Sequence, residues 1–209
     1  ATMDEQGFER SHLQILAALT RLRQICCHPA SFIENYEGGS GKLDLLMELL
    51  EENLALRHRV LLFSQFTSIL DIIEEELIRK GLSCFYLSGQ TPADERASMV
   101  SRFNGGEGDV FLLSLKAGGT GLTLTGADMV IHYDPWWNPA VEEQATDRAY
   151  RIGQDKVVHV FKLITQNTIE EKILLLQKKK KELIDMVIKP GETLLNKLTK
   201  EEIRQLFED

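Results

Sequence analysis

The chain has 209 residues, of which 43% are hydrophobic and 27% charged, and its net charge is −8. These are the proportions of an ordinary globular domain, long enough to bury a core without metals or disulfides. They exclude a spanning helix, since no apolar run approaches the ~18 residues needed, and they argue against a domain that grips nucleic acid by itself, which is usually basic.

The charge is unevenly spread. Residues 1–155 carry 13 basic and 23 acidic side chains, and residues 156–209 carry 11 basic and 9 acidic. Any nucleic-acid role must therefore rest on a local groove. Three cysteines cannot form a fully paired disulfide framework, which points to reduced, intracellular usage. Cys26-Cys27-His28 has no second ligand pair at zinc-like spacing, so the cysteines read as structural. No signal peptide opens the chain, and a start at Ala1 reads as an excised fragment of a longer protein.

In chain order, Leu13, Leu16, Leu19, Leu22 and Ile25 predict a helix ended by His28-Pro29. Residues 35–41 (NYEGGSG) predict a flexible connection. Leu43, Leu46, Leu49 and Leu50 resume the helical pattern. Strands and helices then alternate: a strand over 60–63, a helix over 66–80 and a strand over 84–87. A helix is capped at Thr91 with Pro92 in its first turn. Strands follow over 110–113 and 129–133, then a helix from Asn138 to Arg151 with Gly153 as its C-cap, and a strand over 157–164. Strands apolar throughout, each followed by a helix, imply a parallel sheet covered on both faces. Thr168 with Glu171 caps a long helix striped by Ile169, Ile173, Leu176, Leu183 and Val187, and Thr199 with Glu202 opens a short terminal one.

Five motifs carry possible chemistry. Gln144, Arg148 and Arg151 are spaced four and three apart, which puts them on one helical stripe. Two guanidiniums there suit phosphate oxygens; the same spacing also fits surface arginines near a helix C-terminus. Residues 116–121 (KAGGTG) follow a strand, and glycines there let backbone amides approach an anion or make a tight turn. They match neither a dinucleotide fingerprint nor a Walker loop. Gly38 to Lys42 imitates a P-loop, but Tyr36 replaces its first glycine, Leu43 replaces the magnesium-binding hydroxyl and no strand precedes it, so it reads as a linker. Residues 134–139 (DPWWNP) join a strand to a helix at the end of a sheet where ligands bind. The two tryptophans suit stacking on a base or packing on the core. Lys178 to Lys181 reads as a solvated face or a DNA-facing strip.

In this order the segments LRQICCHP, SGKLDLL, VLLFSQF, YLSGQTPADER, SLKAGGTGLTLTGADMVIHYDPWWNP and QATDRAYRIGQ resemble the Swi/Snf family of superfamily 2 helicase-like ATPases, specifically its second RecA-like lobe. The resemblance implies a three-layer α/β lobe of P-loop NTPase type, with a central parallel sheet and extra helices at both ends. It divides the chain into N-terminal helices and linker (1–58), the lobe core (59–166) and a brace helix with a short terminal helix (167–209). Arg148 and Arg151 match the family's arginine fingers. Gln144, Gly119, Thr120 and Gly121 match positions at the ATP site. Ser64, Gln65, Ser88, Gly89, Ser114, Lys116, Trp137 and Asn138 match DNA-contacting positions, and Asp134 belongs to the same DxxWNP element.

The family's other lobe carries the Walker lysine and the acid pair that hold ATP and Mg²⁺, and neither is found here. The resemblance thus implies half of an active site, inactive alone, in an ATP-dependent double-stranded DNA translocase. Its implied partners are duplex DNA and the first lobe of the same polypeptide, with no membrane and a monomeric state. A strand-separating RNA or DNA helicase and a non-catalytic nucleic-acid interaction module with the same fold are the alternatives.

Overall fold

A computed structural model describes residues 2–115, 121–151 and 153–184. Helices α1 (Thr2–Cys27) and α2 (Gly41–Ala55) precede five strands: β1 (Val60–Ser64), β2 (Cys84–Leu87), β3 (Val110–Ser114), β4 (Met129–His132) and β5 (His159–Lys162). Between them lie α3 (Thr67–Arg79), α4 (Ala93–Asn104) and α5 (Pro139–Thr146), and α6 (Ile169–Ile184) follows. The strands form one sheet in the order β2-β3-β1-β4-β5, parallel throughout. The expected covered parallel sheet is what the chain builds.

Every residue of β1, β3 and β4 is buried, because helices cover both faces. Val60, Leu62, Val110, Leu112, Met129 and Ile131 point to the layer formed by α2 and α3, where they meet Leu46, Leu50, Ile69, Ile73 and Leu77. Leu61, Phe63, Phe111, Leu113 and Val130 point to the other layer, where they meet Phe103 of α4 and Ala145 of α5. This two-residue alternation is the strand period. Outside the three layers, Leu19 of α1 packs with Trp137 and with Ile169 and Ile173 of α6.

Four expectations change. The last strand is confined to His159–Lys162 and all four residues are exposed, because β5 is a sheet edge paired only with β4. Thr91 does not cap α4. Its hydroxyl accepts instead from Ser88 N at 3.1 Å, and the helix begins at Ala93. The stripe read on α1 is rotated: Leu22 and Ile25 are exposed, while Leu19, Arg23 and Cys27 are buried. Four-residue spacing brings those three onto one face. The linker before α2 ends in a working cap, since Ser40 Oγ accepts from Leu43 N and donates to Cys27 O at 3.1 Å. The cap expected of α6 forms: Thr168 Oγ1 accepts from Glu170 N at 3.2 Å, and a Glu171 carboxylate oxygen accepts from Asn167 N at 3.0 Å. Val187 and the Thr199–Glu202 pair lie outside the described residues.

Arg59 ties the amino ends of the strands together. Its guanidinium lies 4.0 Å from the centre of the Phe103 ring. It donates to Phe103 O at 2.5 Å, to Gly108 O at 2.8 and 3.0 Å, to Gly126 O at 3.3 Å and to Glu107 O. Gly126 suits this approach, because a Cβ there would lie 2.9 Å from both Arg59 Nη1 and Asn104 Cα. Arg59→Ala strips a charged donor from four carbonyls, and thermal or urea melting should show a loss of about 2 kcal/mol. A loss under about 0.5 kcal/mol, the range of ordinary surface changes, would show that solvent replaces these bonds.

Candidate nucleotide and nucleic-acid interface

A parallel sheet gathers the carboxyl ends of its strands on one side, and α/β ligand sites lie there. Ser64 ends β1 in register with Ser114 at the end of β3, Ser88 and Gly89 follow β2, and Asp134 follows β4. Ser64 Oγ donates to Asp134 Oδ1 at 2.5 Å, Gln65 N donates to the same oxygen at 3.3 Å, and Phe66 N donates to Ser64 Oγ at 3.2 Å. Asp134 has no exposed surface. Burial pushes its carboxyl above the ordinary range, and Arg23 opposes the shift from an ion pair at 3.5 Å. The same burial pulls the Arg23 guanidinium below its ordinary value.

A second buried pair lies alongside. Lys42 is bonded to Glu170 and also donates to Tyr133 O at 3.3 Å and Leu163 O at 3.4 Å. The lysine of the P-loop imitation thus faces the interior and serves α6. A cavity of about 490 Å³ opens beside it, lined by Cys26, Ser40, Thr165 and Thr168 among others. Its cation is already engaged by Glu170, so the cavity offers no anion site. Cys27 is buried, and burial holds its thiol well above the ordinary value, so it is inert packing.

The arginine stripe is not one helix. Helix α5 ends at Thr146, whose carbonyl accepts from Ala149 N at 3.0 Å and from Tyr150 N at 3.4 Å, and Leu124 N donates to Arg148 O at 2.9 Å. A turn therefore carries both arginines. Gln144 is exposed on α5 and Arg151 is exposed, donating to Gly121 O at 3.3 Å and Thr123 Oγ1 at 3.4 Å. Gly121 has a φ of +60°, the left-handed region glycine favours. Arg148 is only 5% exposed, and its Nε and Nη1 donors have no acceptor among the described residues. Burial first, and then the neighbouring Arg151, lower its pKa. A buried guanidinium with unmet donors is costly, and an anion would relieve it.

The expected DNA-contacting positions separate. Gln65, Ser88 and Asn138 are half-buried and Gly89 is exposed. Arg96 holds the loop after β2 by donating to Thr91 O at 2.6 Å and Gly89 O at 3.0 Å. Asn138 caps α5 by accepting from Ala140 N at 3.0 Å. The side chains of Ser64, Ser114 and Trp137 are buried. Ser64 is turned inward by Asp134, and Trp137 is packed beneath α1 and α6 with Arg23 5.2 Å from its ring, so neither stands at the surface as a contact or stacking platform. Lys116, Gly119 and Thr120 lie outside the described residues. Among the described residues no group of three or more His, Cys, Asp or Glu is placed to hold a metal ion, and no helix is long and apolar enough to cross a membrane.

Sequence reasoning missed His132. It is buried at the end of β4, stacks 5.5 Å from Phe63 and lies 3.0 Å from Thr146 Oγ1, so it braces the residue at which the arginine turn starts. Burial pulls its pKa down to about 4 from 6.5. The folded state therefore resists a proton that the unfolded chain accepts, and stability should fall as pH drops from 6.5 towards 4. The full loss is on the order of 3 kcal/mol. In melts at stepped pH, His132→Phe should flatten this slope; an unchanged slope would show that His132 takes up its proton in the fold.

Residues 41–153 match the helicase conserved C-terminal domain. The chain is 44% identical over 207 residues to the putative ATP-dependent helicase/translocase YwqA of Bacillus subtilis, covering 96% of this chain and 22% of that protein. It is 42% identical to the mouse SWI/SNF-related matrix-associated actin-dependent regulator of chromatin subfamily A member 1, covering 93% of this chain and 20% of that protein. Among solved structures it is similar to the Sulfolobus solfataricus SWI2/SNF2 ATPase core in complex with dsDNA, with a TM-score of 0.78 and 36% identity over 95% of this chain and 42% of that one. It is also similar to the C-terminal domain of that ATPase, with a TM-score of 0.76 and 34% identity over 95% of this chain and 83% of that one. The chain belongs to the helicase conserved C-terminal domain family, as the second RecA-like lobe of the Swi/Snf branch of superfamily 2. It spans about a fifth of the length of the curated relatives it matches.

Proposed function

We propose that this chain is the second motor lobe of an ATP-dependent double-stranded DNA translocase. The observation that carries the proposal is Arg148, whose buried guanidinium keeps two donors without an acceptor among the described residues, beside a second guanidinium. Two such forks suit the oxygens of a polyphosphate. ATP supplies the transferable γ-phosphoryl group, and Mg²⁺ would arrive with it on the first lobe. Arg148 and Arg151 would stabilise charge on the phosphoryl oxygens once the lobes close. Exposed Gln144 and the turn at Gly121 would line the same cleft, and the family resemblance assigns Gly119 and Thr120 to the ATP site. The half-buried and exposed strand-end residues Gln65, Ser88, Gly89 and Asn138 would face the phosphate backbone of duplex DNA, a contact indifferent to sequence, and the family resemblance adds Lys116 to the DNA-contacting positions. The similar Sulfolobus ATPase core was solved in complex with dsDNA, which supports duplex DNA as the ligand.

In the full-length protein, Arg148→Ala or Arg151→Ala should cut DNA-stimulated hydrolysis by about 10³-fold or more, the worth of an arginine finger. Melting should stay near wild type, and lysine should rescue little because a point charge lacks the planar fork. Turnover within about tenfold of wild type, roughly 1.4 kcal/mol, refutes the finger assignment, and a collapsed melt makes the arginines structural. The isolated chain should neither hydrolyse ATP at about 1 per second nor bind duplex more tightly than about 10⁻⁶ M at physiological salt. A steady-state assay and a salt-dependent titration check both.

A further inference from the structure

Arg23 lies outside the segment that matches the helicase C-terminal domain, yet it is buried beside the strand-end loops, with 1% of its surface exposed. Its guanidinium joins two loops that leave different strands. After β1, Nη1 donates to Gln65 Oε1 at 2.9 Å. After β4, Nη2 donates to Pro135 O and pairs with Asp134 at 3.5 Å. The Phe66 and Trp137 rings lie 5.6 and 5.2 Å from it, one on each of the same two loops. Each loop is thus fixed to the other through a residue of α1.

We propose that Arg23 is a positioning residue for DNA engagement: it sets the Gln65 loop against the Asp134–Asn138 loop, so that α1 is a working part of the interface. The inference rests on the functional reading above. A planar guanidinium has donors at a fixed angle and aromatic-compatible faces. A lysine at this position keeps the charge that Asp134 needs but cannot reach Gln65 and Pro135 together. Charge neutralisation and loop positioning therefore come apart in one substitution. Among the described residues Gln65 Nε2 has no acceptor, and the Arg23 bond to Gln65 Oε1 orients the amide.

The test uses the full-length protein and a random-sequence DNA duplex, and reads the duplex concentration giving half-maximal stimulation of ATP hydrolysis. Arg23→Lys should stay folded and raise that concentration about fivefold or more, while KM for ATP moves less than about twofold. In a Gln65→Ala background the same change should add less than about twofold, because the partner through which it acts is gone. A half-stimulating concentration within about twofold of wild type in folded Arg23→Lys overturns the inference. So does a full, additive rise in the Gln65→Ala background. If Arg23→Lys does not fold, Phe66→Leu removes one ring and leaves the ion pair intact. It should raise the concentration about two- to threefold, and no rise overturns the inference. A wild-type protein without DNA-stimulated hydrolysis overturns the functional reading and the inference with it; a stimulated wild type with unaffected variants overturns the inference alone.

Discussion

A carboxylate with no exposed surface must find its partners inside the protein, and Asp134 is that carboxylate. It sits just past the end of β4, where a parallel sheet brings its loops together. Ser64 and the Gln65 amide reach it from β1, and Arg23 reaches it from α1. A buried pair of this kind adds little net stability against an apolar substitute, but losing one partner strands the other charge. Arg23 and Asp134 therefore constrain each other, and the loops that carry them cannot move apart cheaply. The Lys42–Glu170 pair does the same for α2 and α6 a short distance away. Through these two pairs α1, α2 and α6 are built into the lobe.

The arginine turn is organised differently. It hangs from one helix end: His132 braces Thr146, the Thr146 carbonyl closes the turn, and Leu124 accepts its place against the Arg148 carbonyl by donating to it. Gln154 adds a second anchor, its side-chain amide donating to Ala149 O, Thr125 O and Ala127 O. The backbone of Arg148 is thus anchored while its guanidinium keeps donors without an acceptor among the described residues, an arrangement that suits a partner from outside the lobe.

Much of this was legible in the sequence. Short apolar runs identify β1, β3 and β4, since strands buried on both faces need no alternation, and the edge strand β2 shows as a fourth such run. The resemblance of the ordered motifs also identified the family. What was hidden has a common cause, which is that local pattern does not show burial. Arg23 looks like a solvent-facing residue on α1, and only the spacing of Leu19, Arg23 and Cys27 hints that the buried face carries a charge. Lys42 hides in an imitation phosphate loop. Apolar Val157 and Val160 suggest a buried strand, but an edge has neighbours on one side only, and both are exposed. Ser64 and Trp137 carry the right chemistry for a nucleic-acid surface and are turned inward by Asp134 and by α1 with α6. The turn after Thr146 breaks a helical spacing that had put three candidate side chains on one stripe.

If the arginine turn of this lobe completes a nucleotide site held by another lobe, a structure of the full-length protein with duplex DNA and a transition-state analogue of the γ-phosphate will show it. The guanidinium nitrogens of Arg148 and Arg151 should lie within about 3.2 Å of the analogue's oxygens, hydrogen-bonding distance. A closed complex in which both arginines stay bonded only within their own lobe would contradict it.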